Sequence, residues 1–452
     1  MAEEVDVVVI GLGPGGEDAA GRLAEAGLSV AAVESRLVGG ECPYYACVPT
    51  KMMVRAAGLI ADGTRIPGMA GDSIIRPDWA PVAARICDEA TGSWTDTAAA
   101  DRLTGKGARL VRGEGRITGP REVTVGDRVF RARRGILLNT GTAPSAPPVD
   151  GLADVPFWTN REAVQATEVP ESLLVLGGGV VGVEMAQVFS RFDSRVTVVE
   201  AADRLLLNEE PESSELLRQV FEREGVGVRT GAKVTGASYA NGEFRLHLGD
   251  ETLTADRLLV ATGRRPNLKG LGLDAVGLDE DARQIDVDGH MRAADGVWAI
   301  GDITGKGAFT HVSMYQASVA VRDILGEEGP QAAYRAVPRV TFTDPEIAAV
   351  GLTEAQARDQ NLPVRTGLAP IPESTRGWIQ KVGNDGFVKL VESTEWGVLV
   401  GATAAGPAGG EVLGALAVAV HTEAPTAALR EMIYAYPTFH RTIETALAAL
   451  DG

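Results

Sequence analysis

The feature that most restricts how this chain can fold is a strand, glycine turn, helix, strand order that occurs twice. Residues 5–35 read as an apolar strand Val5–Ile10, the turn Gly11-Leu12-Gly13-Pro14-Gly15-Gly16, an alanine-rich helix over Glu17–Ala26 and a strand Ser29–Val33. The order returns with strand Leu173–Leu176, the turn Gly177-Gly178-Gly179-Val180-Val181-Gly182, a helix through Phe192 and strand Val196–Val199. Each is a βαβ unit. The G-x-G-x-x-G pattern alone says little, because 55 glycines in 452 residues supply roughly one match by chance. Context decides. Each match follows an apolar strand and opens a helix, so the first N–H groups of that helix face a diphosphate. Each following strand ends at a carboxylate, Glu34 or Glu200, 18 residues beyond the last glycine, placed to accept ribose hydroxyls of an adenosine. Gly11, Gly13, Pro14, Gly15, Gly16 and Glu34 therefore form one candidate dinucleotide site, and Gly177, Gly179, Gly182 and Glu200 another. A carboxylate at Glu200 repels a 2′-phosphate, which favours NADH over NADPH; Arg204, four residues on, is a competing signal.

At 452 residues the chain exceeds what one core usually serves, so several domains are expected. Proline-rich Ala143–Asp150 and the stretch Arg264–Gly272 read as linkers. Beyond residue 335, strand-like Val340–Phe342, Gly386–Glu392 and Val398–Thr403 precede helical runs over Gly410–His421 and Pro437–Leu450, the pattern of a small α+β domain. A net charge of −18 disfavours nucleic acid and anionic membrane as partners. No stretch approaches a membrane span, and the acidic N-terminus runs into the first strand without a signal-peptide pattern, so a cytoplasmic enzyme is expected.

Three cysteines cannot make a structural disulfide framework. Cys42 and Cys47 lie in Gly39-Gly40-Glu41-Cys42-Pro43-Tyr44-Tyr45-Ala46-Cys47-Val48-Pro49-Thr50-Lys51, within reach of a disulfide if the helix turn between them is distorted, as Pro43 encourages. No further Cys or His cluster accompanies them, which argues against zinc, and no metal site is expected. Cys87 reads as an incidental or buried thiol. Tyr44 and Tyr45 are candidates for lining an aromatic or apolar substrate, or for simple packing.

At this point the sequence resembles, over nearly its whole length, the class I pyridine nucleotide-disulfide oxidoreductases, the group of dihydrolipoamide dehydrogenase, glutathione reductase and mercuric reductase. The matching blocks are the first fingerprint, G-G-x-C-x-x-x-x-C-x-P-x-K, the second fingerprint with Glu184, Ala261-Thr262-Gly263-Arg264-Arg265-Pro266-Asn267, Ala299-Ile300-Gly301-Asp302, and Phe342-Thr343-Asp344-Pro345-Glu346 through Val350-Gly351-Leu352-Thr353-Glu354. The resemblance implies an α/β fold with FAD- and NAD-binding Rossmann-like domains and a C-terminal α+β dimerisation domain. The corresponding divisions are 1–147 for the first part of the FAD domain, 148–267 for NAD, 268–334 for a central domain completing the FAD site, and 335–452 for the interface domain. It implies a homodimer with its active site at the subunit interface, and further cofactor contacts at Gly40, Lys51, Thr140, Gly141, Gly263, Gly301 and Asp302, the last on the FAD ribityl chain. Lys51 and Glu184 would form an ion pair beside the flavin. Electrons would pass from NADH by way of the flavin to a Cys42–Cys47 disulfide, with Cys47 as the thiolate nearer the flavin and Cys42 exchanging with a sulfur substrate.

The C-terminal motif departs from the family. Family disulfide reductases carry H-P-T with a supporting glutamate; here Tyr436-Pro437-Thr438-Phe439-His440-Arg441 puts tyrosine at the histidine position and arginine at the glutamate position. A phenol, with an ordinary pKa of about 10, is a poor base at neutral pH. This argues against ordinary dihydrolipoamide or glutathione turnover, and the ending Leu450-Asp451-Gly452 without a second cysteine pair argues against mercury. His440 and Glu444, spaced i, i+4 on a helix expected to start at Pro437, are a candidate substitute dyad, set against a plain solvated face. Cys42-Pro43-x-x-Ala46-Cys47-Val48-Pro49 also resembles 2-ketopropyl-coenzyme M oxidoreductase/carboxylase, although Lys51 does not fit that enzyme. Three readings follow: reduction of a specialised disulfide or other sulfur compound, reductive thioether cleavage or quinone-type acceptor reduction, and a non-catalytic flavin-binding redox sensor.

Overall fold

The computed structural model describes residues 2–451. Among the described residues the chain forms two compact units: one takes in residues up to Thr50, Ala84–Ser145 and Arg264–Tyr334, the other Lys51–Ala83, Ala146–Gly263 and the chain from Arg335 on.

The first unit is built on a mixed sheet in the order Arg292–Ala294, Val297–Ala299, Arg128–Leu138, Glu3–Ile10, Val30–Glu34, Arg109–Arg112. From Val297–Ala299 to Arg109–Arg112 the neighbours run parallel, with Val7 opposite Val30 and Ile10 opposite Leu138. Val7, Val8, Val9 and Ile10 are all buried because both faces of the sheet are covered, the burial that parallel sheets require. Successive side chains divide by the two-residue period of a strand. Val7 and Val9 pack with Leu23 of the helix Pro14–Glu25 and with Ala317 and Ile324 of the helix Thr310–Leu325; Val8 and Ile10 pack on the other face with Phe130, Ile136 and Leu138. The two expected linkers turn out to be ordered against each other: Thr142–Pro144 pairs antiparallel with Arg264–Pro266.

The second unit carries a parallel sheet in the order Gly227–Arg229, Arg195–Val199, Ser172–Leu176, Arg257–Val260, with a meander of Gly236–Ala240, Glu243–Leu248 and Glu251–Ala255. Its C-terminal part is an antiparallel sheet in the order Pro338–Thr341, Glu346–Gly351, Val398–Gly406, Phe387–Ser393, Val364–Pro370. Leu413 and Leu416 of the helix Gly409–His421 and Ile443 and Leu447 of the helix Thr442–Ala448 cover that sheet. The fold class is the expected one. One boundary is not: the last helix begins at Thr442, not at Pro437, because the Thr438 hydroxyl donates back to the Ala435 carbonyl at 2.7 Å and closes a turn first. No helix among the described residues is long and apolar enough to cross a membrane.

Candidate functional site

The two glycine turns have the same construction. Gly13 and Gly179 are the N-cap residues of Pro14–Glu25 and Val180–Arg191, both with extended backbone and no side-chain cap, so the first N–H groups of each helix have no capping acceptor from that residue. Gly11 and Gly177 sit at φ of 89° and 114°, and a Cβ on either would lie 2.5 Å from the carbonyl oxygen of Asn139 or Ala261. A Cβ on Gly16 or Gly182 would collide with the carbonyl of Gly11 or Gly177. Glycine is therefore required for backbone to lie against backbone, and each helix end is open to a diphosphate.

The carboxylates also match. One oxygen of Glu34 accepts from the Leu12 N–H at 2.7 Å and the other from the Arg36 N–H at 2.8 Å. Glu200 accepts from the Gly178 N–H at 2.6 Å and from the Ala202 N–H at 2.7 Å. Each oxygen keeps a second lone pair for a ribose hydroxyl. Arg204, the competing signal for a 2′-phosphate, is turned to protein: it donates to the Ser214 hydroxyl and the Leu207 carbonyl, both at 2.7 Å. In the first unit, Thr142 donates to Asp302 at 2.7 Å, and Thr140 and Gly141 are fixed through Asn267, which bonds both of their carbonyls. Gly301, at φ 78°, donates its N–H to buried Gln316 and places Asp302 at the start of a short 3₁₀ turn. Gly263 falls in the second unit, at the end of the strand Arg257–Val260 plus three residues, with φ 148°.

The cysteine segment is clamped to the first glycine turn. The Gly39 N–H donates to the Leu12 carbonyl at 2.7 Å, and Gly40, at φ 67°, packs so tightly that a Cβ there would lie 2.8 Å from the Cα of Gly13. A helical turn Glu41–Tyr44 carries Cys42; the helix then breaks at Tyr45 and Ala46 and restarts at Cys47 as Cys47–Thr64. Cys47 is exposed, its sulfur 3.5 Å from the Thr310 hydroxyl, and it occupies a helix start, where negative charge is favoured. Cys42 is half-buried. Tyr44 is a packing residue: it is buried, its hydroxyl donates to the Val38 carbonyl, and burial pushes its phenol above the ordinary range. Cys87 lies within 3.7 Å of the Ser93 hydroxyl, apart from the motif cysteines in sequence and role.

In the second unit Lys51 and Glu184, 133 residues apart, meet with Nζ 2.6 Å from Oε2. Glu184 is 3 % exposed and its other oxygen accepts from the Phe342 N–H at 2.8 Å. The Lys51 ammonium also lies 4.7 Å from the centre of the Phe342 ring, a cation–π distance. The buried carboxylate thus has two good donors and the cation a defined position. Lower in the same unit, the two departures from the family motif touch: the Arg441 guanidinium lies 5.5 Å over the Tyr436 ring. Glu444 pairs with Arg441 at 2.8 Å, and His440 precedes the last helix with its ring 6.1 Å from that of Tyr434. His440 and Glu444 therefore do not share one helix, and Glu444 faces the neighbouring Arg441 guanidinium.

The profile described as "Pyridine nucleotide-disulphide oxidoreductase" matches residues 5–323, and that of the corresponding dimerisation domain matches 337–447. The chain belongs to the pyridine nucleotide-disulphide oxidoreductase family. It is an NAD(P)H-dependent flavoprotein oxidoreductase. The oxidoreductase is 34 % identical to dihydrolipoyl dehydrogenase of Thermus scotoductus, over 98 % of this chain and 97 % of that protein. It is 32 % identical to a mercuric reductase of Acidithiobacillus ferrooxidans, over 98 % of this chain and 82 % of that one. Among solved structures, the Cu(II) complex of the HOCl-induced flavoprotein disulfide reductase RclA from Escherichia coli superposes with a TM-score of 0.87 at 25 % identity, covering 99 % of both chains.

Proposed function

We propose that this oxidoreductase uses NADH to reduce a specialised disulfide or another sulfur-containing small molecule at the Cys42–Cys47 pair, without a His-Glu acid–base dyad. The observation that carries the reading is the clamp that seats the cysteine segment on the first glycine turn through Gly39 and Gly40. Bound FAD supplies the two-electron relay between nicotinamide and sulfur. Glu34 and the start of the helix Pro14–Glu25 would hold its adenosine and diphosphate, with Asp302, steadied by Thr142, on its ribityl chain. Lys51, held by Glu184, supplies a fixed positive charge that stabilises negative charge on the reduced ring. Cys42 exchanges with the substrate sulfur, and Cys47 holds negative charge at its helix start. The divisions at about residues 147, 267 and 334 serve as the FAD, NAD, central and interface domains of this scheme. The oxidoreductase acts as a homodimer with its active site shared across the interface; support comes from the dimerisation-domain match and from apolar side chains exposed within it, Ile433 at 99 % and also Val418 and Met432.

Anaerobic titration with NADH tests the reading. The expected result is a long-wavelength charge-transfer band that develops with the first equivalent of NADH while the flavin stays oxidised, the flavin bleaching only with a second equivalent, and the band is missing in Cys47→Ser. Bleaching complete at one equivalent and unchanged in that variant would remove the cysteines from the electron path. Coenzyme preference is a separate expectation. With Glu200 facing the ribose and Arg204 engaged elsewhere, kcat/KM for NADH should exceed that for NADPH by about tenfold or more, and Glu200→Gln should narrow the gap by relieving the repulsion. A preference for NADPH in the parent enzyme refutes the assignment.

A further inference from the structure

The ion pair of Lys51 and Glu184 is positioned from a third segment. The Phe342 N–H that orients Glu184 belongs to a stretch whose next-but-one residue, Asp344, is fastened to the helix of Glu184 and to the turn that follows the helix of Lys51. Its carboxylate oxygen lies 2.7 Å from Arg65, in the turn that directly follows the helix of Lys51, and 2.9 Å from Arg191, on the helix of Glu184. Its backbone is bracketed by the side chain of buried Gln187, which accepts from the Asp344 N–H at 2.8 Å and donates to the Asp344 carbonyl at 2.9 Å. Gln187 and Arg191 lie one and two helical turns beyond Glu184, on the same face. Arg191 is in turn gripped by Glu224 at 2.5 Å, and its guanidinium is shielded from solvent.

This bracing has a task. Glu184, Arg65, Arg191 and Asp344 line a common cavity of about 290 Å³, room for several waters. A carboxylate beside water turns toward it unless fixed donors hold it. Here the Phe342 N–H is such a donor, held on one side by the paired strand Pro338–Thr341 and on the other by the fastening of Asp344.

We propose that Asp344 is a positioning residue for the Lys51–Glu184 pair: by tying the Phe342–Asp344 segment to Arg65 and Arg191 it fixes the N–H that aims Glu184 and, through Glu184, the ammonium of Lys51. The inference rests on the reading of Lys51 as the charge that stabilises reduced flavin. The test is a double-mutant cycle on the FAD-loaded enzyme, read as the flavin midpoint potential. Lys51→Met should shift the potential negative. Asp344→Ala should shift it in the same direction and slow flavin reduction by NADH by about tenfold to a hundredfold, the scale of an ångström-sized misplacement. In the Lys51→Met background Asp344→Ala should add no further shift. Asp344→Asn, which keeps the Gln187 bracket and one acceptor for the arginines, should fall between, and it takes the place of the alanine variant in the cycle if that variant does not hold FAD. A shift from the Asp344 variants that is fully retained without Lys51, or no shift in its presence, overturns the proposal. An unchanged potential in Lys51→Met overturns the role of Lys51 itself.

Discussion

Cys42→Ala is expected to lose disulfide reduction by on the order of 10³-fold, the scale of removing a nucleophile, while NADH-driven reduction of an artificial dye stays within about twofold of the parent. The two activities separate because dye reduction needs only the dinucleotide sites and the Lys51–Glu184 pair, whereas disulfide exchange needs the Cys42 thiol to attack the substrate and form the mixed disulfide. The local structure favours a clean result. Cys42 sits on the four-residue helical turn Glu41–Tyr44, anchored by the Tyr44 hydroxyl and by the Gly39 and Gly40 contacts, so loss of one sulfur atom leaves the backbone clamp intact. Disulfide turnover retained at parental rates would exclude thiol chemistry and move the assignment to a non-thiol acceptor.

Lys389→Met is expected to destabilise the second unit by about 3–5 kcal/mol, the range for leaving a buried carboxylate without its cation. Lys389 is 4 % exposed in the strand Phe387–Ser393 and its ammonium bonds Glu210 at 3.0 Å, Glu212 at 2.7 Å and Glu354 at 3.1 Å. Glu210, only 2 % exposed, also accepts from the Glu354 N–H. Burial works against the lysine's charge, but the bonds from Glu212 and Glu210 outweigh it and raise its pKa; Glu354 is held below the usual carboxylate range by Arg358 first and by Lys389 as well. The signs define the window. Stability from a raised lysine is fully present below its unfolded pKa, about 10.4, and is lost as pH rises through the folded value; stability from a depressed glutamate is present above about 4.3 and is lost as pH falls through its folded value. The parent should therefore lose more stability than Lys389→Met on going from about pH 7 to about pH 3.5, because the variant no longer has the Lys389–Glu354 attraction to lose. Urea midpoints at the two pH values measure this, and a variant within about 1 kcal/mol of the parent at neutral pH would mean that the carboxylates rearrange into water.

What the sequence makes visible depends on the range of the interaction. The two βαβ units are legible because their glycines, strands and terminal glutamates lie within about thirty residues and obey local rules. The pairing of Lys51 with Glu184 across 133 residues is legible only through family resemblance. The Asp344 fastening was missed, since nothing near Asp344 in sequence points to Arg65 or Gln187. Lys389 was missed for the opposite reason: a lysine in a strand reads as a solvent-facing side chain, and only its three distant glutamates make it a buried one. Two strands of the C-terminal sheet were also passed over. Glu346–Gly351 is alanine-rich and Val364–Pro370 contains glycine and ends in proline, compositions that suit a strand only where neighbours supply the pairing. The meander, by contrast, carried a readable sign in Asn241-Gly242, the two-residue turn between Gly236–Ala240 and Glu243–Leu248.

If Glu200 sets the coenzyme choice as proposed, the bonds it accepts from the Gly178 and Ala202 N–H groups join that choice to loop shape. An engineer who exchanges Glu200 for arginine to welcome a phosphate also strips two backbone donors of their shared acceptor and loosens the turn on which any dinucleotide must rest. Redirecting the enzyme therefore calls for a second change that re-anchors Gly178.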